Sequence, residues 1–250
     1  MHLLPLNADA PPLSDRELEE IYAYPPELDR PWVQVNFVSS ADGAATASGR
    51  SAGLSSPADK KIFALGRDLA DVVLVGAGTA VVEGYRGVKR TEVRAERRAR
   101  LGLSELPPIA VVTGRCSIGP LTPLVADTLV PPIVLTTKAA PARSRDDLTE
   151  AGAEVIVAGE EKVDLHRALA ELGERGLHRV CCEGGPHLFG ELMAQNLVDQ
   201  LCLTLAPLLM GGDAPRIAEG VFPPEPLRMD LASVLTDEGF LMLRYRRQPS

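Results

Sequence analysis

Short apolar runs alternate along this chain with segments of helical period, and that alternation limits the fold more than any other feature. Residues 72–75, 108–112, 132–136 and 154–157 are brief and nearly all apolar, as strands covered on both faces must be. Residues 32–38 (WVQVNFV) alternate with period two, and 177–182, 200–205 and 240–245 also read as strands. Helical candidates lie at 14–22, 57–69, 144–151, 163–172 and 186–195. Ser14 and Glu17 have the spacing of a capping box, and Ser56 before Pro57 marks a helix start. This order predicts a three-layer α/β/α protein with a mixed, mainly parallel central sheet. The sheet should be mixed because a Gly/Pro-rich loop at 211–226, instead of a helix, separates the closing strands. At 250 residues the chain is sized for one large domain. Its polar, Pro-rich residues 1–30 are expected to be an N-terminal arm and 31–250 a single domain. The run 92–100 (EVRAERRAR) mixes charge signs and is expected to be a solvated helical face or loop.

Charge and composition remove several functional classes. A net charge of −8 disfavours nucleic acid, whose affinity is built on clustered Lys and Arg. No run approaches the ~18 apolar residues of a membrane span, and no signal-peptide pattern opens the chain, so a cytoplasmic location is expected. Cys116, Cys181, Cys182 and Cys202 show no CxxC spacing, and the histidines show no HxxxH or HExxH pattern. No metal site is therefore expected, and the cysteines read as buried thiols.

The candidate chemistry sits in turns that follow strands, where open α/β sheets place their ligands. Cys182-Glu183-Gly184-Gly185-Pro186 joins a strand to a helix. The first-turn N–H groups of that helix favour a phosphate, and Glu183 sets a carboxylate beside it. Val75-Gly76-Ala77-Gly78-Thr79 brings backbone close to a ligand, with Thr79 placed to cap a short helix. It lacks the third glycine of the dinucleotide fingerprint. Thr113-Gly114-Arg115 offers a hydroxyl and a guanidinium suited to a phosphate monoester, such as the 2′-phosphate of NADP. Ser39-Ser40-Ala41-Asp42-Gly43 places hydroxyls and a carboxylate after the first strand. Each turn taken alone is also explained by the dihedral needs of a tight turn.

Together these motifs resemble the reductase domain of riboflavin biosynthesis. The resemblance runs from Arg30-Pro31-Trp32-Val33 and the S-x-D-G turn at 40–43, through Gly49-Arg50-Ser51 and Ser55, to Arg67–Asp71 and VVLVGAGT at 72–79. It continues with Glu183-Gly184-Gly185-Pro186, Leu197-Val198-Asp199 and the A-P…G-G of 206–212, and spans about residues 30–246. It implies a dihydrofolate-reductase-like fold and an NADPH-dependent reduction of the ribosyl group of 5-amino-6-(5-phosphoribosylamino)uracil to ribityl. Gly76, Gly78, Thr79, Gly184, Gly185 and Leu188 would line NADPH, with Thr113, Gly114 and Arg115 at its 2′-phosphate. Ser39, Ser51, Ser55, Arg67 and Glu83 would hold the phosphorylated pyrimidine or pterin-like substrate. Asp42 and Glu183 would be catalytic, Asp42 organising the proton transfer. The resemblance also implies a homodimer, and 199–207 is a strand whose exposed edge or face could serve.

Two departures fall on the substrate side. The family's Asp-Asp-Pro is replaced by Glu83-Gly84-Tyr85, and the aromatic of its substrate loop by Gly53. The zinc signature of the deaminase often fused to this reductase does not occur. Two alternatives stay open from the residues: a dihydrofolate-type or other small-molecule reductase, and a non-catalytic NADP-binding relative.

Overall fold

The computed structural model describes residues 11–220 and 225–248. The first ten residues of the expected arm, positions 221–224 of the Gly/Pro-rich loop and the last two residues lie outside the described part. Nine strands form one sheet: β1 (Trp32–Ser40), β2 (Val72–Gly76), β3 (Ile109–Val112), β4 (Ile133–Thr136), β5 (Glu154–Val157), β6 (Arg179–Cys182), β7 (Gln200–Ala206), β8 (Met229–Asp237) and β9 (Phe240–Arg247). Their order is β5-β4-β3-β2-β6-β1-β7-β9-β8. Every pairing from β5 to β7 is parallel, and β9 runs antiparallel to both β7 and β8. The mixed, mainly parallel sheet is as expected. β8, not expected from the sequence, has no buried residue and no alternation of burial, which leaves little periodic signal.

Helices cover both faces. Against one face pack α7 (Leu165–Glu174) and α8 (Pro186–Ala194), whose Leu169, Leu172, Phe189 and Leu192 meet Val33, Leu74 and Val180. The other face carries α1 (Asp15–Tyr22), α2 (Pro57–Leu69), α3 (Ala77–Val82), α5 (Pro123–Ala126) and α6 (Ala142–Glu150). Between α3 and α5 lies α4 (Ala95–Arg100). Ser56 caps α2 through Asp59 N–H, and Ser14 with Glu17 closes the expected capping box of α1. Gly66 lets α2 approach the sheet: a Cβ there would sit 2.9 Å from Asn36 Nδ2 and 3.2 Å from Cys181 Sγ.

Two expectations are corrected. The charged run 92–100 is not a solvated face. Arg98 is fully buried and donates to the carbonyls of Arg67 (2.9 Å), Asp68 (3.2 Å) and Ala70 (2.8 Å). It thereby adds a donor to the carbonyls at the end of α2, of which Arg67 O otherwise has only the 3.4 Å contact from Ala70 N–H. Arg97 is 9% exposed and bridges Glu19 of α1 to Asp68 of α2. Arg94 pairs with Asp15 and Arg100 with Glu19. A mixed-sign sequence run cannot distinguish a solvated face from a clamp whose partners are distant in sequence. The strand expected to offer an exposed edge, β7, is interior, paired to β1 on one side and β9 on the other. The sheet's edges are β5 and β8. No described helix is long and apolar enough to cross a membrane.

Candidate active site

Strand order reverses where β2 meets the β6–β1 pair, and at the carboxyl ends of these strands the structure opens a cavity of about 580 Å3. Two glycine turns meet there. Gly76 N–H donates to Gly184 O at 2.7 Å, joining the end of β2 to the turn after β6. Gly184 has φ +89°, and a Cβ on it would lie 2.7 Å from the Phe37 ring. A Cβ on Gly185 would lie 2.0 Å from Thr79 Oγ1. Larger residues would push the turns apart. Gly78, Thr79 and Gly185 line the cavity, and Leu188 packs behind Gly76. Thr79 is not a cap: α3 starts at Ala77 with Gly76 as its N-cap, so the Thr79 side chain is free to pack under Gly185.

These turns suit an extended phosphorylated ligand such as a dinucleotide. No side chain caps α8 and its first residue is Pro186, so the N–H groups of His187 and Leu188 have no helical partners. A Cβ on Gly78 would meet nothing within 4 Å, which leaves room for a ligand against the backbone. One strand further on, Gly114 and Arg115 are exposed at the end of β3. The Thr113 hydroxyl turns inward instead, accepting from Ser117 N–H at 3.0 Å. The geometry therefore leaves Gly114 and Arg115, rather than the Thr113 hydroxyl, facing solvent.

One wall of the cavity is a buried ion pair. Arg67 donates through Nε to Glu183 Oε1 (2.7 Å) and through Nη2 to Oε2 (2.8 Å), and Tyr85 donates to the same Oε2 at 2.6 Å. Arg67 also pairs with Glu92 at 2.9 Å and lies over the Phe63 ring. Burial alone would lower the Arg67 pKa, but the Glu183 carboxylate outweighs it and holds the guanidinium charged. Burial and the Glu183 charge together push the Tyr85 hydroxyl well above its ordinary range, so it remains a donor. Arg67, expected to hold a substrate phosphate, is thus already paired to two carboxylates, and Glu183 meets the cavity as one end of a neutralised pair.

The remaining substrate-side residues gather as expected, with one exception. Ser51, Ser55 and Glu83 line the cavity. Glu83 accepts from Ser51 N–H at 3.0 Å and holds the one-turn 3-10 helix Ser51–Leu54 in place. Ser55 donates to Asp59 on α2. The exception is Ser39, which is buried in β1 outside the cavity and donates to the Ser40 carbonyl.

Asp42, expected to organise the proton transfer, is tethered beside the end of β1. It does not line the cavity. Its carboxylate accepts from the Ser40 hydroxyl, from Met210 N–H (3.0 Å) and from Gly211 N–H (2.7 Å). The Ser40 contact and these two amides lower its pKa to about 2. Through these contacts Asp42 ties loop 208–211 to the end of β1. Ser40, not Ser39, carries that turn, since its hydroxyl also accepts from Ala44 N–H at 2.9 Å.

Among the cavity residues that the sequence reading did not single out are Tyr22, Asp59, Tyr85 and Glu92. Tyr85 carried a signal, standing where the resemblance expects proline. Glu92 was hidden in the charged run. Tyr22 and Asp59 have helical spacing indistinguishable from ordinary packing and capping positions.

The sequence profile of the RibD C-terminal domain matches residues 31–242. A reductase from Archaeoglobus fulgidus, named for 2,5-diamino-6-ribosylamino-4(3H)-pyrimidinone 5′-phosphate, is 34% identical over 194 residues, or 76% of this chain and 87% of that one. Its namesake from Methanothermobacter thermautotrophicus is 30% identical over 195 residues, covering 76% and 85%. A crystal structure described as a pyrimidine reductase-like protein from Corynebacterium diphtheriae superposes with a TM-score of 0.75 at 26% identity, covering 88% of this chain and 93% of its own. With the strand order, the paired glycine turns and the cavity between them, these matches establish that the chain belongs to the RibD C-terminal domain family.

Proposed function

We propose that the protein is an NADPH-dependent reductase of riboflavin biosynthesis, converting the ribosyl group of a 6-(5-phosphoribosylamino)pyrimidine to ribityl. The observation that carries this reading is the meeting of the Gly76–Thr79 and Glu183–Gly185 turns on one cavity, joined by the Gly76–Gly184 hydrogen bond. Bound NADPH would supply the hydride. Gly76, Gly78, Thr79, Gly184, Gly185 and Leu188 would hold its central part, and Gly114 with Arg115 its 2′-phosphate. Arg115 makes no hydrogen bond or ion pair among the described residues, which leaves its guanidinium available. The names of the archaeal relatives support the substrate class.

On the substrate side, Ser51, Ser55 and Glu83 would position the phosphoribosyl group. The Arg67–Glu183–Tyr85 cluster would fix the wall behind it without presenting a net charge. The Tyr85 hydroxyl, held protonated, would keep Glu183 Oε2 in place. Asp42 would act at a distance by holding loop 208–211. A homodimer is part of this reading. The exposed β8 edge, where Leu231 is 52% exposed, is the surface that supports it.

The test follows NADPH absorbance with the phosphoribosylaminopyrimidine and with dihydrofolate in parallel. Turnover of the first, with dihydrofolate inert or far slower, is expected. Tight NADPH binding without turnover of either would overturn the reductase reading.

A further inference from the structure

The cavity reaches beyond the part of the chain that the family profile matches. Tyr22, the last residue of α1, lines it, and α1 precedes the matched residues 31–242. The match therefore gives this helix no role, yet the structure anchors it well. Glu19 of α1 accepts from Arg97 at 3.0 Å and from Arg100 at 2.7 Å, and Arg97 is also paired to Asp68 of α2. Asp15 pairs with Lys61 of α2 at 2.9 Å and with Arg94. Between these ion pairs, Leu18 and Tyr22 pack with Ile62, Leu65 and Leu69 of α2. Packing and ion pairs together hold Tyr22 in register with α2.

Tyr22 is 1% exposed. Its hydroxyl makes no hydrogen bond among the described residues. It is also not one of the partnerless polar atoms sealed from solvent there, which are Tyr24 Oη, Gln34 Nε2 and Arg244 Nη1. The little surface it keeps therefore opens on the cavity. Burial pushes the hydroxyl well above its ordinary range, aided by Cys202 and Asp59 and opposed by Arg244, so it stays a donor. Cys202 and Asp59 line the same cavity. Thr204, 4% exposed, lines it too, and its hydroxyl is likewise without a partner among the described residues. Buried polar groups are nearly always hydrogen-bonded, so two unpartnered hydroxyls at one end of a cavity point to a polar occupant. Ile62, Met242 and the Tyr22 ring add apolar surfaces suited to a flat ring. This end is not the cofactor's. The glycine turns follow β2 and β6, whereas Cys202, Thr204 and Met242 belong to β7 and β9, on the other side of β1.

We propose that Tyr22, delivered by α1, contacts the substrate: it closes the base end of the cavity and donates its hydroxyl to an acceptor oxygen on the pyrimidine ring. This rests on the reductase reading above and adds a residue to its substrate side. Removing such a donor weakens the ligand and leaves the free protein intact, because in the free protein that oxygen has no partner to lose.

The test uses Tyr22→Phe in the full chain, which removes that one oxygen and keeps the ring, with Tyr22→Ala as the variant that also empties the cavity end. Calorimetry measures the affinity for NADPH and for the ribityl product of the phosphoribosylaminopyrimidine, neither of which needs turnover. KM and kcat are measured with the substrate itself, and Tm for each protein. Tyr22→Phe should melt within ~2 °C of wild type. It should bind the ribityl product ~5–10-fold more weakly and raise the substrate KM by a similar factor, with NADPH affinity changed less than ~2-fold. Tyr22→Ala should weaken the product further and lower Tm, as the core loses a ring. Undiminished product affinity in Tyr22→Phe would overturn the proposal and, with normal wild-type turnover, leave the reductase reading standing. An equal loss of NADPH and product affinity would also overturn it, by marking a loosened helix instead of a contact. Absent turnover with the expected fall in product affinity would sink the reductase reading while sustaining Tyr22 as the contact. Failure of the wild type to bind the product would overturn both.

Discussion

Glu183→Gln tests the energetics of the charged cavity wall. The substitution keeps the shape of the side chain and removes its charge. Glu183 has no exposed side-chain surface and Arg67 has 12%, so solvent screens the pair little. Removing one member of a buried pair costs about 3–5 kcal/mol, because the other charge is left uncompensated. Glu92 still touches Arg67 at 2.9 Å and is 42% exposed, which points to the lower end, near ~3 kcal/mol. For a domain of this size each kcal/mol moves Tm by about 2–4 °C, so a fall of roughly 6–12 °C is expected. Arg67→Met should cost a similar amount, since it strands Glu183 with only Tyr85 as donor. The double variant should cost well below the sum, with a coupling of ~2 kcal/mol or more, because neither charge remains to be stranded. Thermal and urea denaturation of the four proteins read this directly. A Glu183→Gln variant melting within ~1 °C of wild type, or strictly additive single costs, would refute the assignment of a buried, mutually dependent pair.

Other expectations follow from single contacts. Asp42→Asn should speed amide exchange at Met210 and Gly211 while changing kcat by less than ~10-fold, well below the loss from removing a proton-transfer group; a loss of ~100-fold would return Asp42 to the chemistry. The pH dependence has a definite sign: the Asp42 carboxylate, lowered to about 2, ties down the loop fully above its unfolded value near ~3.9 and releases it as pH falls toward about 2. Loop order monitored between these limits should therefore fall in wild type and stay flat in Asp42→Asn. Arg115→Ala should raise KM for NADPH by ~10-fold or more and leave that for NADH nearly unchanged, whereas equal losses would remove Arg115 from the 2′-phosphate site. Gly185→Ala should disrupt cofactor binding, because its Cβ would meet Thr79 Oγ1 at 2.0 Å; adding Thr79→Ala removes that atom and should restore part of it, since the next contact is 3.4 Å. Cys182 and Cys202, buried and pushed up to about 12, should resist alkylation at pH ~8 until the protein unfolds.

The parallel core and its turns were legible because their causes are local. Val72–Gly76 and Ile133–Thr136 are buried along nearly their whole length, so their sequence is a plain apolar run. The Ser56–Pro57 start of α2 is readable from chemistry confined to one turn. The glycine turns were equally readable, since the need for glycine at positions 184 and 185 comes from close neighbours such as Phe37 and Thr79. What stayed hidden depends on partners far along the chain. Arg97 and Arg98 read as surface charges because Glu19, Asp68 and the carbonyls of α2 are 28 to 78 residues away. The tether of Asp42, the Met210 and Gly211 amides, lies 168 and 169 residues on, so no local pattern announces it. Arg67 shows the same limit at the site itself. A lone arginine beside serines invites an anionic substrate, but Glu183, 116 residues away, already takes that charge. Arg67 is therefore part of the cavity wall, its charge shared between Glu183 and Glu92, and the polar groups on the substrate side include Ser51, Ser55 and Glu83.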